Sequence, residues 1–492
     1  MKRILLFALC ILTLASCKKF IDINENPNDP TDVPPNVLMP VTTVGIGWSN
    51  GNELGRLASV LVQYNAGLSN SALTYDSYNI GGLLDNQWDF EIYNGTVNNL
   101  RILIKKTEAT SPAYSGAAKI QLAYLISIAT DLWGDVPYSQ AGLGLEFLQP
   151  RYDKQEDIYK GNSSLGIVSL FDLVRSGLED LSKASVLTPG SDDKIYGGDM
   201  EAWQKAGGSL LLKFANTISN VDKPLATSVI NEVLASSTGY ITDADQDFSV
   251  KFTTANGNQN PMYQQDWGNP TFKHNEMLSA RLLTLSKSLN DTVRLSKMYT
   301  KPLKTRFVAY DNGSNVALPT LATRSEYNNY VVGGANDLNN AGGDAPVRLL
   351  TNFQSNFILA EAAVTLGINA GDANKYYQAG IKGSMSKVGM TTAEINQYFT
   401  DNPTVVTLSG SDANKVKQII TQKYLAWVGN GIEAYNDYRR TGYPVLALSL
   451  SAAGDNPAVI PKRYAYTTKE GNANPNQPKP RPKTDQKVWW GL

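Results

Sequence analysis

Between Ala117 and Thr130 the chain carries one charge, Lys119, and its apolar residues Ile120, Ala123, Tyr124, Ile126, Ile128 and Ala129 crowd more than one stripe. That density predicts a helix buried on most of its faces rather than one lying on a surface. Trp133 extends the buried face. Gly134 then supplies the backbone freedom of a helix C-terminus, and Pro137 forbids continuation.

Around this element the chain reads as further helices. Gln87 to Lys105 has near-helical spacing, weakened at Gly95, and Leu165 to Leu181 carries a clean amphipathic stripe. Asp199 is placed to cap a helix through Trp203 and Phe214, and Pro224 suits the first turn of the next. Glu276 to Leu289, Arg348 to Leu366, Asp372 to Ser386, Ser411 to Val428 and Glu433 to Arg440 complete the set. The later ones fall into pairs of about 35–40 residues, the spacing of tetratricopeptide-like hairpins stacked as a partial solenoid. Two long polar, glycine-rich intervals, Gly239 to Pro270 and Asp311 to Asp344, interrupt the pattern, and loops of that length tend to be functional. The expected fold is therefore mainly α, a helical-repeat scaffold with long irregular loops. The tail ends in Val488-Trp-Trp-Gly-Leu492, and two adjacent indoles are expected to dock in a groove.

The N-terminus has its own logic. Met1-Lys-Arg3, the apolar run Ile4 to Leu14, and the small residues before Cys17 describe a secretory signal. The run is too short to span a bilayer, which takes about 20 apolar residues. The small residues end on a cysteine, as in a bacterial lipobox, so residues 1–16 are expected to be removed and Cys17 lipidated. A polar Asn- and Pro-rich tether over 17–40 would then lead to a single folded domain over 41–492. The other cysteine, Cys10, lies inside the signal, which leaves no disulfide or cysteine-based metal site. With 44 basic and 45 acidic residues and no long basic block, a nucleic-acid partner is not expected.

Asp131-Leu-Trp-Gly-Asp-Val-Pro-Tyr-Ser-Gln-Ala141 resembles a hallmark of the SusD-like (RagB/SusD) nutrient-binding outer-membrane lipoproteins of Bacteroidetes. Tyr196-Gly-Gly-Asp-Met-Glu-Ala-Trp-Gln-Lys205, Phe357-Ile-Leu-Ala-Glu-Ala362, Gln422-Lys-Tyr-Leu-Ala-Trp427 and Glu433-Ala-Tyr-Asn-Asp-Tyr-Arg-Arg440 are similar to further blocks of that family. The resemblance implies tetratricopeptide-like repeats whose loops form a ligand face. It also implies an outer-membrane, cell-surface location, a SusC-like TonB-dependent transporter as partner, and an oligosaccharide, or in some members a peptide, as ligand. The matching blocks are scaffold residues, so they do not identify the ligand.

Evidence of catalysis is thin. The only histidine, His274, rules out a two-histidine zinc centre. The glycine-rich Gly45 to Gly51 lacks the context of a phosphate-binding loop. Glu361, Asp131 and Asp135 are the carboxylates a surface glycoside hydrolase would use, and their plainer reading is as buried, paired or capping acids. No catalytic residue or metal ligand is assigned and no cofactor is expected, although loop Asp and Asn oxygens leave calcium possible. Sugar recognition asks instead for aromatic faces beside polar groups in loops. Trp48, Tyr75, Tyr78 and Trp267 meet that description, with Asp266 and Asn269 flanking Trp267 and Asn50, Asp76 and Asn79 near the others. Trp88, Trp133, Trp203 and Trp427 lie on helical stripes and are expected in the core.

Overall fold

A computed structural model describes residues 33–268, 273–303, 305–334 and 342–492. The lipobox with Cys17, and Asn269, lie outside the described residues. The body begins within the expected tether: a helix starts at Pro35 and continues to Gly51.

The apolar run forms the centre as a helix from Pro112 to Trp133, with nearly every residue buried. Gly134 follows at φ 84°, the positive-φ stop its position called for. The helices Asn98–Thr107 and Leu170–Leu181 pack on it, the latter closely. A Cβ on Gly116 would lie 2.6 Å from the carbonyl oxygen of Gly177, and this backbone contact requires glycine. The array then continues through Met200–Ile218, on which Lys223–Ala235 and Asn352–Thr365 both pack, and Ala373–Lys387 and Asp412–Ala426 follow against Asn352–Thr365. The result is the mainly helical, tetratricopeptide-like scaffold expected.

Three expected helices prove shorter at their N-terminal ends. Glu276–Leu278 is a strand paired antiparallel with Asn65–Gly67, and the helix occupies Ala280–Ser288. Val347–Leu350 pairs with Phe248–Val250 before the helix Asn352–Thr365. The stripe read from Leu165 becomes helical only at Leu170. Each true start carries a hydroxyl cap: Ser279, Thr351 and Ser169 accept from the backbone N–H groups of Arg281, Gln354 and Asp172. The Gln87 segment divides at the expected weak point, running as a wide π-helix over Gln87–Val97 and as an α-helix over Asn98–Thr107. A third small pair joins Val136–Pro137 to Tyr152–Asp153.

Buried charge ties the scaffold together. Arg440 grips Glu361 with two hydrogen bonds of 2.5 and 2.8 Å, Lys213 meets Glu433 at 2.7 Å, and Lys423 meets Asp437 at 2.9 Å. Asp131 accepts from the Tyr159 hydroxyl, Asn436 and the Trp490 indole at 2.7, 3.0 and 2.9 Å. Burial pushes its carboxyl up from the ordinary aspartate value, against the pull of Lys213 and these donors. Trp490 is therefore docked as expected, with the Arg439 guanidinium 4.9 Å from its ring. Trp88, Trp133, Trp203 and Trp427 are all buried.

Candidate ligand-binding site

The two long polar intervals meet. Asn260 donates from its backbone to Gly343 at 2.7 Å and from its side chain to the carbonyl of Ala345 at 2.8 Å. Its side-chain oxygen caps the short helix Pro261–Tyr263, which widens into a π-turn over Gln264–Gly268. This turn packs on the Pro35–Gly51 helix, where a Cβ on Gly51 would meet the Pro261 ring at 2.7 Å. The expected glycine-rich loop around Trp48 is thus the end of a helix, and its glycines are there for close packing. Gln265 donates to Asn52 at 2.8 Å, and Asn52 donates to Glu91 at 2.5 Å, tying the turn to the first helix and to the π-helix.

Trp267 is half-buried on this turn, edge-on to His274 with ring centres 5.1 Å apart. The His274 N–H donates to the Asp266 carbonyl at 2.8 Å, so residues 266 and 274 are held together, and His274 Nδ1 lies 2.9 Å from Glu326. Behind them Arg56 bridges Glu53 at 2.9 Å and Glu276, and Asn65 donates to Glu276 at 2.7 Å. Asp266 is buried among this excess of acid. Burial, with Glu326 and Glu276 close by, pushes its carboxyl well above the ordinary aspartate value. Asp266 Oδ1, Trp267 Nε1, Glu326 Oε1 and Arg56 Nη2 are buried with no hydrogen-bond partner among the described residues. A loop supported in this way is positioned by polar contacts more than by packing.

Of the residues expected at a site, Asp266 and Trp267 share this turn, and half-buried Trp48 lies on the helix that supports it. Tyr75 and Tyr78 do not present faces to a ligand. Tyr75 is 1 % exposed and donates to Glu53 at 2.6 Å, while Tyr78 is 4 % exposed and accepts from the backbone of Ser449 at 2.8 Å. Each carries a hydroxyl that found an internal partner, which an aromatic in a polar stretch readily does. Asp76 is likewise internal, accepting from Asn312 and Gly313 at 2.8 Å each, and burial raises it to about 6. Asn50 accepts from the Tyr124 hydroxyl at 2.9 Å, and Asn79 is exposed beside Tyr78. Three contributors were not singled out from sequence: Gln265, Asn52 and Glu91. Two of them lie within or beside stretches already picked for their aromatics, and that was the only signal available.

The carboxylates weighed for hydrolysis are engaged structurally: Glu361 by Arg440, Asp131 by its three donors, and Asp135 by the backbone N–H of Gln155 at 2.9 Å. Among the described residues no group of three His, Cys, Asp or Glu is placed to hold a metal ion, and no helix is long and apolar enough to cross a membrane.

A helical-repeat body whose long loops converge on an aromatic, polar-backed turn defines a scaffold protein with a loop-built surface. The chain belongs to the SusD-like family: the family described as starch-binding and associating with the outer membrane matches residues 27–467. Solved structures share the fold at low identity. A chitin-binding protein superposes with a TM-score of 0.76 at 23 % identity, covering 93 % of this chain and 100 % of its own. A SusD homologue from Bacteroides fragilis NCTC 9343 gives 0.74 at 22 %, covering 93 % and 100 %. A chitin-binding SusD homologue from Flavobacterium johnsoniae gives 0.72 at 21 %, covering 93 % and 97 %. A search of curated proteins finds no match.

Proposed function

We propose that this protein captures a glycan at the cell surface and passes it to a TonB-dependent outer-membrane transporter, held to the membrane through lipidated Cys17. The observation that carries the reading is the Gln264–Gly268 turn, where Trp267 stands half-buried over a polar support. An indole face is the surface on which the C–H groups of a pyranose ring pack, and the Asn, Gln and acid groups around it suit hydroxyl recognition. Family membership and the chitin-binding proteins of the same fold support a carbohydrate as the ligand class. The work is recognition and delivery, without turnover and without a bound cofactor; calcium dependence is tested by repeating the titration with chelator.

The test titrates the soluble chain from Lys18 onward with chitin oligosaccharides, malto-oligosaccharides and a peptide pool, following tryptophan fluorescence. One glycan series is expected to bind, and Trp267→Ala is expected to weaken it at least tenfold, about 1.4 kcal/mol or more. A response to peptides alone would replace the glycan by a peptide. Glycan binding unchanged in Trp267→Ala would place recognition elsewhere.

A further inference from the structure

A second cleft, of 660 Å³, lies away from that turn, between the helices Ala280–Ser288 and Asp412–Ala426 and the segment Pro444–Ala447. Its volume is that of a small-molecule site. Its walls are aliphatic, with Leu285, Leu289, Val405 and Leu446 prominent, and no carboxylate lines it. Two cations do. Arg281 is paired with Asp311 at 2.8 Å and donates to the Ala447 carbonyl at 2.7 Å, while Lys417 is exposed and has no ion-pair partner among the described residues.

The interior holds a polar group in want of a ligand. Gln63 is 2 % exposed; its Nε2 donates to the Ala447 carbonyl, and its Oε1 is buried with no hydrogen-bond partner among the described residues. Its φ of 64° belongs to the end of the Glu53–Leu61 helix, where Gln63 and Tyr64 donate from their backbones to Val60 and Ser59, so the helix terminus fixes Gln63 in place at the cleft. A buried acceptor in a cleft with an apolar floor and a cationic rim is an arrangement with a complement.

We propose that this cleft is a second binding site, for an apolar carboxylate joined to an amide: the chemistry of an N-acyl amino acid or of a peptide's apolar C-terminal end. The amide N–H donates to Gln63 Oε1, the apolar groups pack on Leu285, Leu289 and Leu446, and the carboxylate faces Lys417 and Arg281. The site is separate from the loop turn and does not depend on the glycan reading.

The experiment uses the full chain with Cys17→Ser, which removes acylation, and two probes measured by calorimetry: N-decanoyl-L-leucine and acetyl-Ala-Ala-Leu-Leu with a free carboxylate. At least one is expected to bind one-to-one, with its methyl ester at least tenfold weaker. Lys417→Glu, at an exposed position, is expected to weaken it at least tenfold, and Thr284→Trp, at the exposed rim, to abolish it. Gln63→Leu is expected to weaken both probes, and Lys417→Glu supplies the charge test should that buried variant fail to fold. Tighter binding of the acyl probe assigns the site to small molecules, and tighter binding of the tetrapeptide assigns it to a chain end. No binding of either probe, or binding unaffected by the ester, Lys417→Glu and Thr284→Trp together, overturns the proposal. Glycan titration of Lys417→Glu keeps the two sites apart, because its response at the Trp267 turn is expected to be unchanged.

Discussion

Glu91 shows how a single side chain ties the candidate site to pH. Its Oε1 accepts from Asn52 and Gln87, while Oε2 is buried without a partner among the described residues, and burial raises the carboxyl from 4.5 to about 7. The folded state therefore holds this proton more tightly than the unfolded chain does. The group's favourable contribution is complete below about pH 4.5 and is lost as pH rises through about 7, at up to about 1.4 kcal/mol per pH unit. Glu91→Gln keeps an acceptor at Oε1 and removes the titration, so urea denaturation at pH 5 and pH 7 should show a flatter dependence than the parent protein. Glu361 tests the opposite kind of acid. Glu361→Ala leaves Arg440 buried with only Asp437 as a charged partner, and a loss of about 3–5 kcal/mol is expected in the same assay.

Packing between elements was only partly legible. The hydrophobic periodicity located the scaffold helices from Gln87 onward, because burial of a stripe is written in the residues themselves, but it missed Pro35–Gly51, Glu53–Leu61 and Thr392–Asp401, whose glycines and polar residues blur the stripe. It overran three starts: at Ser279 and Thr351 because a short strand and a helix both tolerate apolar runs, and at Ser169 because the apolar residues of a 3-10 turn and a single bridge before it run on into the stripe. The strand partners Asn65–Gly67 and Phe248–Val250 lie far away in sequence. The hydroxyl caps were the available correction. The turn around Trp267 was flagged by composition, whereas its attachment through Gln265, Asn52 and Glu91 depends on contacts between segments that periodicity does not encode. Tyr75 and Tyr78 misled because a tyrosine in a polar stretch looks the same whether its hydroxyl meets water or a buried partner. At this scale Gly116 offers a sharp test. Gly116→Leu drives a side chain into the backbone of Gly177 and should cost about 1–3 kcal/mol, seen as a lower midpoint with unchanged urea sensitivity.

Across the whole molecule, distant segments close on one another at Asp131. Trp490 donates to it, Trp489 is held through Gln155 at 2.7 Å, and Gln155 in turn donates to the carbonyl of Thr130 at 2.7 Å. Trp490→Ala removes a buried ring and a donor to a buried carboxylate, and a loss of about 3–5 kcal/mol in chemical denaturation is expected. A chain made from its N-terminus forward thus lacks the indole that covers Asp131 until residue 490 has emerged, so the buried carboxylate at the end of the central helix gains its last donor from a segment 359 residues later.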